Sequence, residues 1–194
     1  MGRFLRYAYA ALALAFAGCG YTTRLKLPEG QQRIGVELFA NRSVLPDLER
    51  RLHASVTRAV REYTGSELVQ PGRAQSIVRG IIFNYRRRGG IRTAQNVWQE
   101  AGVIIDAEAS LVDASSGELL ARARANTQVG FTFGVAGGET AAREYALDNL
   151  AERLVLELFV VAIRKEEGRR DPELGSGPDG AVPRPPSTEA VPGS

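Results

Sequence analysis

Two carboxylates on one predicted strand are the first candidates for chemistry in this sequence. Asp106 and Glu108 stand two residues apart, a spacing that puts side chains on the same face of a strand about 6.5–7 Å apart. Paired carboxylates at such a distance can act as acid and base in glycoside hydrolysis. However, Arg122 and Arg124 stand on the neighbouring predicted strand, so a solvated ladder of opposite charges explains the four side chains better. We therefore expect no catalytic site here.

The other motifs of catalysis and cofactor binding are incomplete. His53 is the single histidine, and no His/Cys cluster could ligate zinc. A glycine-rich run at residues 134–140 precedes a predicted helix, but Glu139 stands where a phosphate-binding loop has lysine. A carboxylate at that position would repel phosphate. We predict that the protein is not an enzyme and that it has no metal ion or other cofactor.

A run of arginines is the strongest remaining sign of binding. Between Leu68 and Gln99 the chain has six arginines and no acidic residue. Three of them end a predicted strand, and a fourth lies in the long connection that Gly89-Gly90 opens. Guanidinium groups bind phosphate and carboxylate bidentately, although an arginine triplet can also be a solvated strand end. We favour an end of the sheet that faces an anion or a partner. The predicted contact residues are Arg86, Arg87, Arg88 and Arg92. Trp98 is either their neighbour or an ordinary sheet residue.

The N-terminus has the pattern of an export signal. A basic start is followed by an apolar run from Tyr7 to Ala17, which is shorter than the roughly 20 residues that span a bilayer. The stretch Phe16-Ala17-Gly18-Cys19 resembles the bacterial lipobox, whose cysteine is acylated before cleavage. We predict that residues 1–18 are a lipoprotein signal peptide and that Cys19 is the lipidation site. The alternative is an ordinary secretory signal with a chance cysteine.

Lipid on Cys19 would attach the mature chain to a membrane without a transmembrane helix, because two or more acyl chains give stable anchoring. Gly20 follows, where aspartate commonly marks retention in the inner membrane of enteric bacteria, so we expect the periplasmic face of the outer membrane. Without Arg3 and Arg6 of the signal, 23 of the 25 basic side chains remain against 22 acidic ones. This balance gives no support for nucleic-acid binding.

Hydrophobic periodicity predicts the order β-α-β-β-β-α. Alternating apolar residues predict strands at 34–39, 77–87, 103–111 and 119–126, with a turn at Asp113–Gly117 before the last strand. The first predicted helix has an apolar stripe at Leu48, Leu52, Val56, Ala59 and Tyr63 and a cap at Gly65. The second, from Gly138 to Ile163, has its stripe at Leu147, Leu150, Leu154, Leu158 and Val161.

These elements predict an α+β two-layer sandwich. The helix between the first two strands allows a crossover, so those strands can be parallel while the last three form a meander. Since one sheet face is apolar, both helices should pack on that face of a four-stranded mixed sheet. The domain should comprise residues 19–163. Of the 31 residues from 164 to 194, 14 are Gly, Pro or Ser, a composition that predicts a disordered tail.

The mature chain is similar to the LptE family of lipopolysaccharide-assembly lipoproteins. The resemblance covers roughly Cys19 to Ile163, and the arginine triplet, the glycine-rich run and the Pro-rich tail depart from it. The residues that carry it are Cys19-Gly20-Tyr21, Leu27-Pro28-Glu29-Gly30, Ile34-Gly35-Val36, Phe39-Ala40-Asn41-Arg42-Ser43, Tyr85-Arg86, Leu111-Val112-Asp113 and Ser116-Gly117-Glu118.

The resemblance implies two helices on a four-stranded sheet and a role without catalysis. It implies an outer-membrane lipoprotein that plugs the lumen of the LptD β-barrel, supports barrel assembly and helps lipopolysaccharide reach the cell surface. The implied partners are therefore an LptD-type barrel, lipopolysaccharide and the membrane. Two alternatives remain open. One is another small outer-membrane lipoprotein, such as a peptidoglycan-synthase activator or a curli-secretion-type protein. The other is a periplasmic enzyme.

Overall fold

The computed structural model describes residues 24–28 and 31–170, without the side chain of Arg170. The predicted signal peptide, Cys19 and residues 171–194 lie outside the described residues. The elements in chain order are β1 (Arg33–Val36), β2 (Ala40–Asn41), α1 (Leu48–Thr64), β3 (Glu67–Leu68), a 3₁₀ turn (Pro71–Arg73), β4 (Ser76–Gly89), β5 (Glu100–Asp113), β6 (Leu119–Thr132) and α2 (Gly138–Arg170).

The predicted two-layer α+β architecture is confirmed. The sheet has the order β3-β1-β4-β5-β6, and β2 pairs with β4 beside this path. As predicted, β1 is parallel to β4, and β4, β5 and β6 form an antiparallel meander. The sheet has six strands rather than the four predicted. The two additional strands, β2 and β3, are only two residues long each. Two residues are too few for an alternation pattern to be recognised in a sequence.

Helix α1 follows its sequence pattern closely. Leu48, Leu52, Val56 and Ala59 are buried, as the spacing of three and four residues requires for one helix face. Gly65 ends the helix with φ 66° and donates its N–H to Arg61 O over 3.1 Å. This is the left-handed cap that glycine adopts without steric cost.

Helix α2 packs on β5 and β6 and against α1, on the same face of the sheet. Its leucines at positions 147, 150, 154 and 158 are buried as predicted, but Val161 is 37% exposed, and Phe159 and Ala162 are buried instead. The helix also continues beyond Ile163 to Arg170. Where it lies over β6, the facing side chains Ala121, Ala123 and Ala125 are small and buried, which allows a close approach of helix and sheet.

The first strand is shorter than the alternation suggested. It ends at Val36, and in the connection that follows Leu38 is exposed while Phe39 is 2% exposed. Phe39 lies over Gly80, where an added Cβ would meet the Phe39 ring at 2.4 Å. The missing side chain of Gly80 therefore makes the space that Phe39 fills.

The opposite face of the sheet has no helix over it in the described part of the chain. Alternate residues of β4, β5 and β6 form this surface, which we call the open face. It includes Arg79, Ile81, Asp106, Glu108, Arg122 and Arg124, all exposed or half-buried. No helix among the described residues is both long and apolar enough to cross a membrane.

Candidate functional site

The predicted arginine-rich end of the sheet is an ordered extension of the β4–β5 hairpin. Beyond the last strand pair, Gly89 with Ala101, a further bridge joins Arg92 to Trp98. Backbone hydrogen bonds from Gln99 N to Ile91 O and from Thr93 N to Val97 O, both 2.8 Å, continue the pairing. The sequence predicted only a long connection here. We call residues 86–100 the arginine tip.

A β-bulge decides which way each arginine of the triplet points. The pairing of β4 with β5 shifts between Ile82 and Asn84. Before the shift, even-numbered residues such as Val78 and Ile82 face the helices, and after it Tyr85 and Arg87 do. An extra residue in one strand has this effect because side chains alternate with a period of two. Arg86 and Arg88 consequently lie on the opposite side from Arg87.

Arg87 is engaged within the protein. Its Nε donates to Glu139 Oε1 over 2.7 Å, and the Tyr85 hydroxyl donates to the same oxygen over 2.9 Å. Partial burial raises the pKa of the Glu139 carboxyl, but the hydrogen bonds and charges of Arg87 and its neighbours outweigh this, so the pKa lies below its usual value. Glu139 stands in the first turn of α2, where the helix dipole also favours a negative charge. The cluster ties the end of β4 to the start of α2.

Arg92 and Trp98 form a stack on the glycine pair. The Arg92 guanidinium lies 3.7 Å from the centre of the Trp98 ring, and its Nη1 donates to Asn96 Oδ1 over 2.6 Å. An added Cβ on Gly89 would meet Trp98 Cη2 at 2.4 Å, so the ring occupies the space above this glycine. Of the two sequence interpretations of Trp98, the structure therefore favours a neighbour of the tip.

Arg86 and Arg88 remain available for a ligand. Both are exposed, and within the described residues neither side chain has a hydrogen bond or ion pair. Arg86 contributes to a cleft of about 390 Å³. The cleft is lined by Val44, Leu45, Tyr85, Arg86, Arg87, Glu139 and Arg143. Its walls thus combine apolar side chains with guanidinium groups.

Large apolar side chains are exposed around the same end of the molecule. The N–H of Phe133 donates to Gln99 O over 2.9 Å, which brings the chain after β6 beside the tip. Phe131 and Phe133 pack edge to face with ring centres 5.2 Å apart. The exposed apolar residues here are Ile91, Val97, Trp98, Phe133 and Val135. Clustered apolar exposure of this kind is typical of interaction sites.

The arginine tip lies far from the N-terminal end of the described chain. Leu25 N donates to Tyr63 O near the end of α1, and Ile34 of β1 pairs with Ser76, the first residue of β4. Since β4 has 14 residues, the tip is about 45 Å from that end. The arginine tip and Leu25 therefore lie towards opposite ends of the sheet.

The other candidate residues have structural partners. Asp106 accepts a hydrogen bond from Asn84 Nδ2 over 2.7 Å, and Glu108 lies 3.4 Å from Arg122 Nε. Among the described residues, the Glu108–Arg122 contact fits the predicted charged ladder, whereas Asp106 contacts a neutral amide and Arg124 lies 4.3 Å from the centre of the Phe83 ring. His53 is half-buried, with its Nδ1 3.1 Å from Glu37 O. In the part of the chain that the structure describes, no three His, Cys, Asp or Glu side chains are grouped to hold a metal ion.

Sequence reasoning missed the cluster of Tyr85, Arg87 and Glu139. Glu139 lies more than fifty positions from Tyr85 and Arg87 in sequence, and the contact depends on the bulge and on the packing of α2. The one available signal was Glu139 itself, an acid after a glycine-rich run, which we interpreted only as evidence against phosphate binding.

The chain matches a known protein family. The sequence model of LptE, the lipopolysaccharide-assembly family, matches residues 31–159. The match is more than half of the 194-residue chain and extends from β1 through most of α2. No curated protein sequence matches the chain.

The solved structures that are similar to this chain are distant from it in sequence. A Xanthomonas campestris protein has a TM-score of 0.51 at 15% identity, over 75% of this chain and 96% of that one. Lipoprotein B of Nitrosomonas europaea has a TM-score of 0.46 at 16% identity, over 78% and 93%. The PelC dodecamer of Paraburkholderia phytofirmans gives 0.47 at 14% identity, over 69% and 92%. At 15% identity, the similarity to the Xanthomonas protein shows that the two chains share a fold and nothing about function.

Proposed function

The chain belongs to the LptE family of lipopolysaccharide-assembly proteins, and we propose that it is an outer-membrane lipoprotein that plugs an LptD-type β-barrel. In this role it supports assembly of the barrel and takes part in the transport of lipopolysaccharide to the cell surface. It acts by binding rather than by catalysis. The observation that carries the proposal is the family match over residues 31–159. This range includes all six strands, the whole of α1, and α2 as far as Phe159.

The geometry of the domain supports this role. In the proposal, lipid on Cys19 holds the chain at the periplasmic face of the outer membrane, a few residues before Arg24. Within the described residues, the arginine tip is about 45 Å from the end of the sheet near Leu25, because β4 has 14 residues. A rod-like sheet of this length, anchored at one end, can extend into a barrel while its base stays at the membrane.

The surface chemistry of the tip suits both proposed ligands. The lumen of an outer-membrane barrel is polar, and lipopolysaccharide carries phosphate groups. Arg86 and Arg88 are exposed and have no partner side chain among the described residues, so their guanidinium groups are free to bind phosphate or carboxylate. Arg87 is held by Glu139, so we assign it a positioning role. The Arg92 guanidinium is stacked on Trp98 and donates to Asn96.

Copurification tests the proposed partner. The full-length chain, carrying a C-terminal affinity tag, is extracted from outer membranes in mild detergent and isolated. We expect a large β-barrel protein in stoichiometric amount. Recovery of a peptidoglycan synthase or a secretion pore without such a barrel would contradict the proposal and favour the alternative of another lipoprotein adaptor.

A pair of double variants tests the proposed contact residues. Each charge-assisted arginine contact contributes about 1.5–3 kcal/mol, so Arg86→Ser with Arg88→Ser should weaken binding of purified lipopolysaccharide more than tenfold. Arg50→Ser with Arg164→Ser removes the same charge from exposed helix positions and is the matched control. Equal binding by both double variants would remove the tip as the contact surface, and copurification would still report on the barrel.

The proposed anchor is tested separately. Cys19→Ser removes the acceptor thiol, so the variant should remain uncleaved or become soluble. Fractionation after a high-salt wash, with metabolic labelling by palmitate, measures both. A normally cleaved variant that stays in the membrane fraction would exclude Cys19 as the lipidation site.

A further inference from the structure

We propose that the arginine tip, together with the loop at residues 133–138, docks on a lipid bilayer surface that carries anionic headgroups. This inference goes beyond the proposed function and does not depend on the barrel. It rests on two uncharged loops with exposed apolar side chains, on the internal hydrogen bonds of one of them, and on the free arginines behind them.

Two loops without a charged side chain stand side by side at this end of the sheet. One is the turn of the arginine tip with the residues after it, 93–99, and the other is the connection from β6 to α2, residues 133–138. A backbone hydrogen bond joins them. The largest exposed apolar side chains on them are Val97, Phe133 and Val135. This end therefore presents apolar groups with no charge among them.

The turn of the tip satisfies its own backbone donors. Thr93 N donates to Val97 O over 2.8 Å, and Asn96 N donates to Thr93 O over 2.9 Å. The Thr93 hydroxyl oxygen accepts hydrogen bonds from the N–H groups of Gln95 and Val97, each over 3.2 Å. A backbone donor with an internal acceptor costs less free energy to move out of water than one without. The turn can therefore enter a poorly hydrated layer.

The pair of Arg92 and Trp98 suits the boundary between water and hydrocarbon. The two residues form a bridge, and the guanidinium lies over the indole ring. Tryptophan is enriched at this boundary because its ring has an apolar body and a polar N–H. Arginine can cover apolar surface with its stem while its charged end stays in water. Trp98 therefore marks the expected depth of insertion.

Free guanidinium groups lie behind the apolar end. Residues 86–99 include four arginines and no acid. Arg86 and Arg88 are exposed and have no ion pair among the described residues. Arg88 precedes Arg92 by a distance of about 13 Å along an extended strand. An anionic bilayer attracts such groups within a screening length of about 10 Å at 0.1 M salt. The order from apolar to basic matches the order from acyl chains to phosphate groups.

The arrangement fits a bilayer better than a groove on a protein. Arg92 and Trp98 share one side of the hairpin, and the exposed side chain of Val97 points to the other, because neighbouring residues of a strand alternate. A groove that fits one side would leave the other exposed to water. A bilayer can surround both sides of an inserted end.

Fluorescence of Trp98 tests the proposal, because it is the single tryptophan of the chain. The full chain, purified from membranes, is reconstituted into vesicles of phosphatidylcholine and phosphatidylglycerol. We expect a blue shift of the emission and quenching by lipids brominated on their acyl chains. Both effects should be several-fold weaker in phosphatidylcholine alone, or in 1 M NaCl, where the screening length falls to about 3 Å. Absent quenching, or quenching that does not depend on phosphatidylglycerol, would overturn the proposal.

Matched double variants test the apolar contact. Val97→Ser with Phe133→Ser, at positions that are 61% and 48% exposed, should reduce the quenching of Trp98 several-fold. Leu38→Ser with Leu119→Ser changes side chains that are 59% and 41% exposed and lie away from the tip, so it should leave the quenching unchanged. Circular dichroism checks that each variant is folded. Equal decreases in the two variants would contradict the proposal.

A second pair of variants tests the charged contact. Arg86→Gln with Arg88→Gln should bring the quenching in phosphatidylglycerol vesicles close to that in phosphatidylcholine alone. Arg50→Gln with Arg164→Gln removes the same charge from exposed helix positions and should preserve the difference between the two lipids. The opposite pattern would remove the tip arginines from the proposed surface.

Adding purified lipopolysaccharide to the vesicles separates this proposal from the proposed function. A response of Trp98 in vesicles of phospholipid alone is the expected result. A response that requires lipopolysaccharide would overturn docking on a phospholipid surface and would leave the proposed function standing. Copurification of the barrel, measured separately, is unaffected by either outcome.

Discussion

The face of the sheet that the helices cover and the open face are made by alternate residues of the same strands. On β5, Val103, Ile105 and Leu111 are fully buried beneath the helices, while their neighbours Asp106 and Glu108 point the other way and are half-buried. The covered face is held by apolar packing and the open face by a few polar contacts. The side chains that stabilise the fold are therefore separate from the arginines that we propose for partner binding, so we expect each set to be changed with little effect on the other.

The largest expected effect comes from the covered face. Phe159 is fully buried, and Phe159→Ala should lower the free energy of unfolding by about 3–5 kcal/mol through lost burial and a cavity. Ile104→Ala, at a half-buried position of the open face, should cost about 1 kcal/mol. Denaturant unfolding of both variants measures the difference. Similar losses would mean that the open face is also part of the core.

A pair of glycines sharpens the same comparison. An added Cβ on Gly80 would stand 2.4 Å from the Glu108 carbonyl oxygen and from the Phe39 ring, so Gly80→Ala should destabilise by about 1–3 kcal/mol. Gly72 has nothing within 4 Å of such a Cβ, so Gly72→Ala should be neutral or slightly stabilising. Thermal unfolding of the two variants is the measurement, and equal melting temperatures would contradict the packing described for Phe39.

The contact of Glu139 with β4 should make stability depend on pH. Its folded pKa is lowered from 4.5, because the hydrogen bonds and charge of Arg87 outweigh the opposing effect of burial. The stabilisation is therefore fully present above pH 4.5 and is lost as the pH falls through the folded pKa. For a partly exposed pair we expect about 0.2–1 kcal/mol. The difference in melting temperature between wild type and Glu139→Gln should thus be present at pH 7 and shrink as the pH falls below 4.5 towards and through the lowered pKa of Glu139. A constant difference would assign the effect to shape rather than charge.

The smallest effect is expected at the arginine tip itself. Arg86→Ser with Arg88→Ser should change the free energy of unfolding by no more than a few tenths of a kcal/mol, since neither side chain has a partner among the described residues. Arg87→Ser should cost more, because it removes the ion pair and the hydrogen bond that Arg87 makes with Glu139. Denaturant unfolding at pH 7 compares them. The reverse order would contradict the division of the triplet into one arginine bound to Glu139 and two without a side-chain partner among the described residues.

Much of the fold was predictable because its patterns are local. The alternation in β5 and the spacing of leucines in α2 identified the covered face, and the Asp113–Gly117 turn fixed the β5–β6 hairpin. That turn is held by the Asp113 carboxylate, which accepts hydrogen bonds from Ser115 and Ser116 that lower its pKa to about 2. Such contacts involve neighbours in sequence, so residue type alone reveals them.

The arginine tip was predictable as a place but not as an arrangement. The sequence identified Arg86, Arg87, Arg88 and Arg92 as one group, whereas the structure divides them among three environments. Arg87 binds Glu139, Arg92 covers Trp98, and the other two are exposed. The division depends on the bulge between Ile82 and Asn84, and a single extra residue in a strand leaves no periodic signal.

By itself, the sequence determined the order of the elements, the apolar face of the sheet and the resemblance to the LptE family, because these depend on residue type and on spacing along the chain. Only the tertiary structure decided the face on which each arginine lies, the burial of Phe39 over Gly80 and the contact of α2 with the end of β4. These features join residues distant in sequence, and they are set by which side chains fit together once the helices and the sheet have packed.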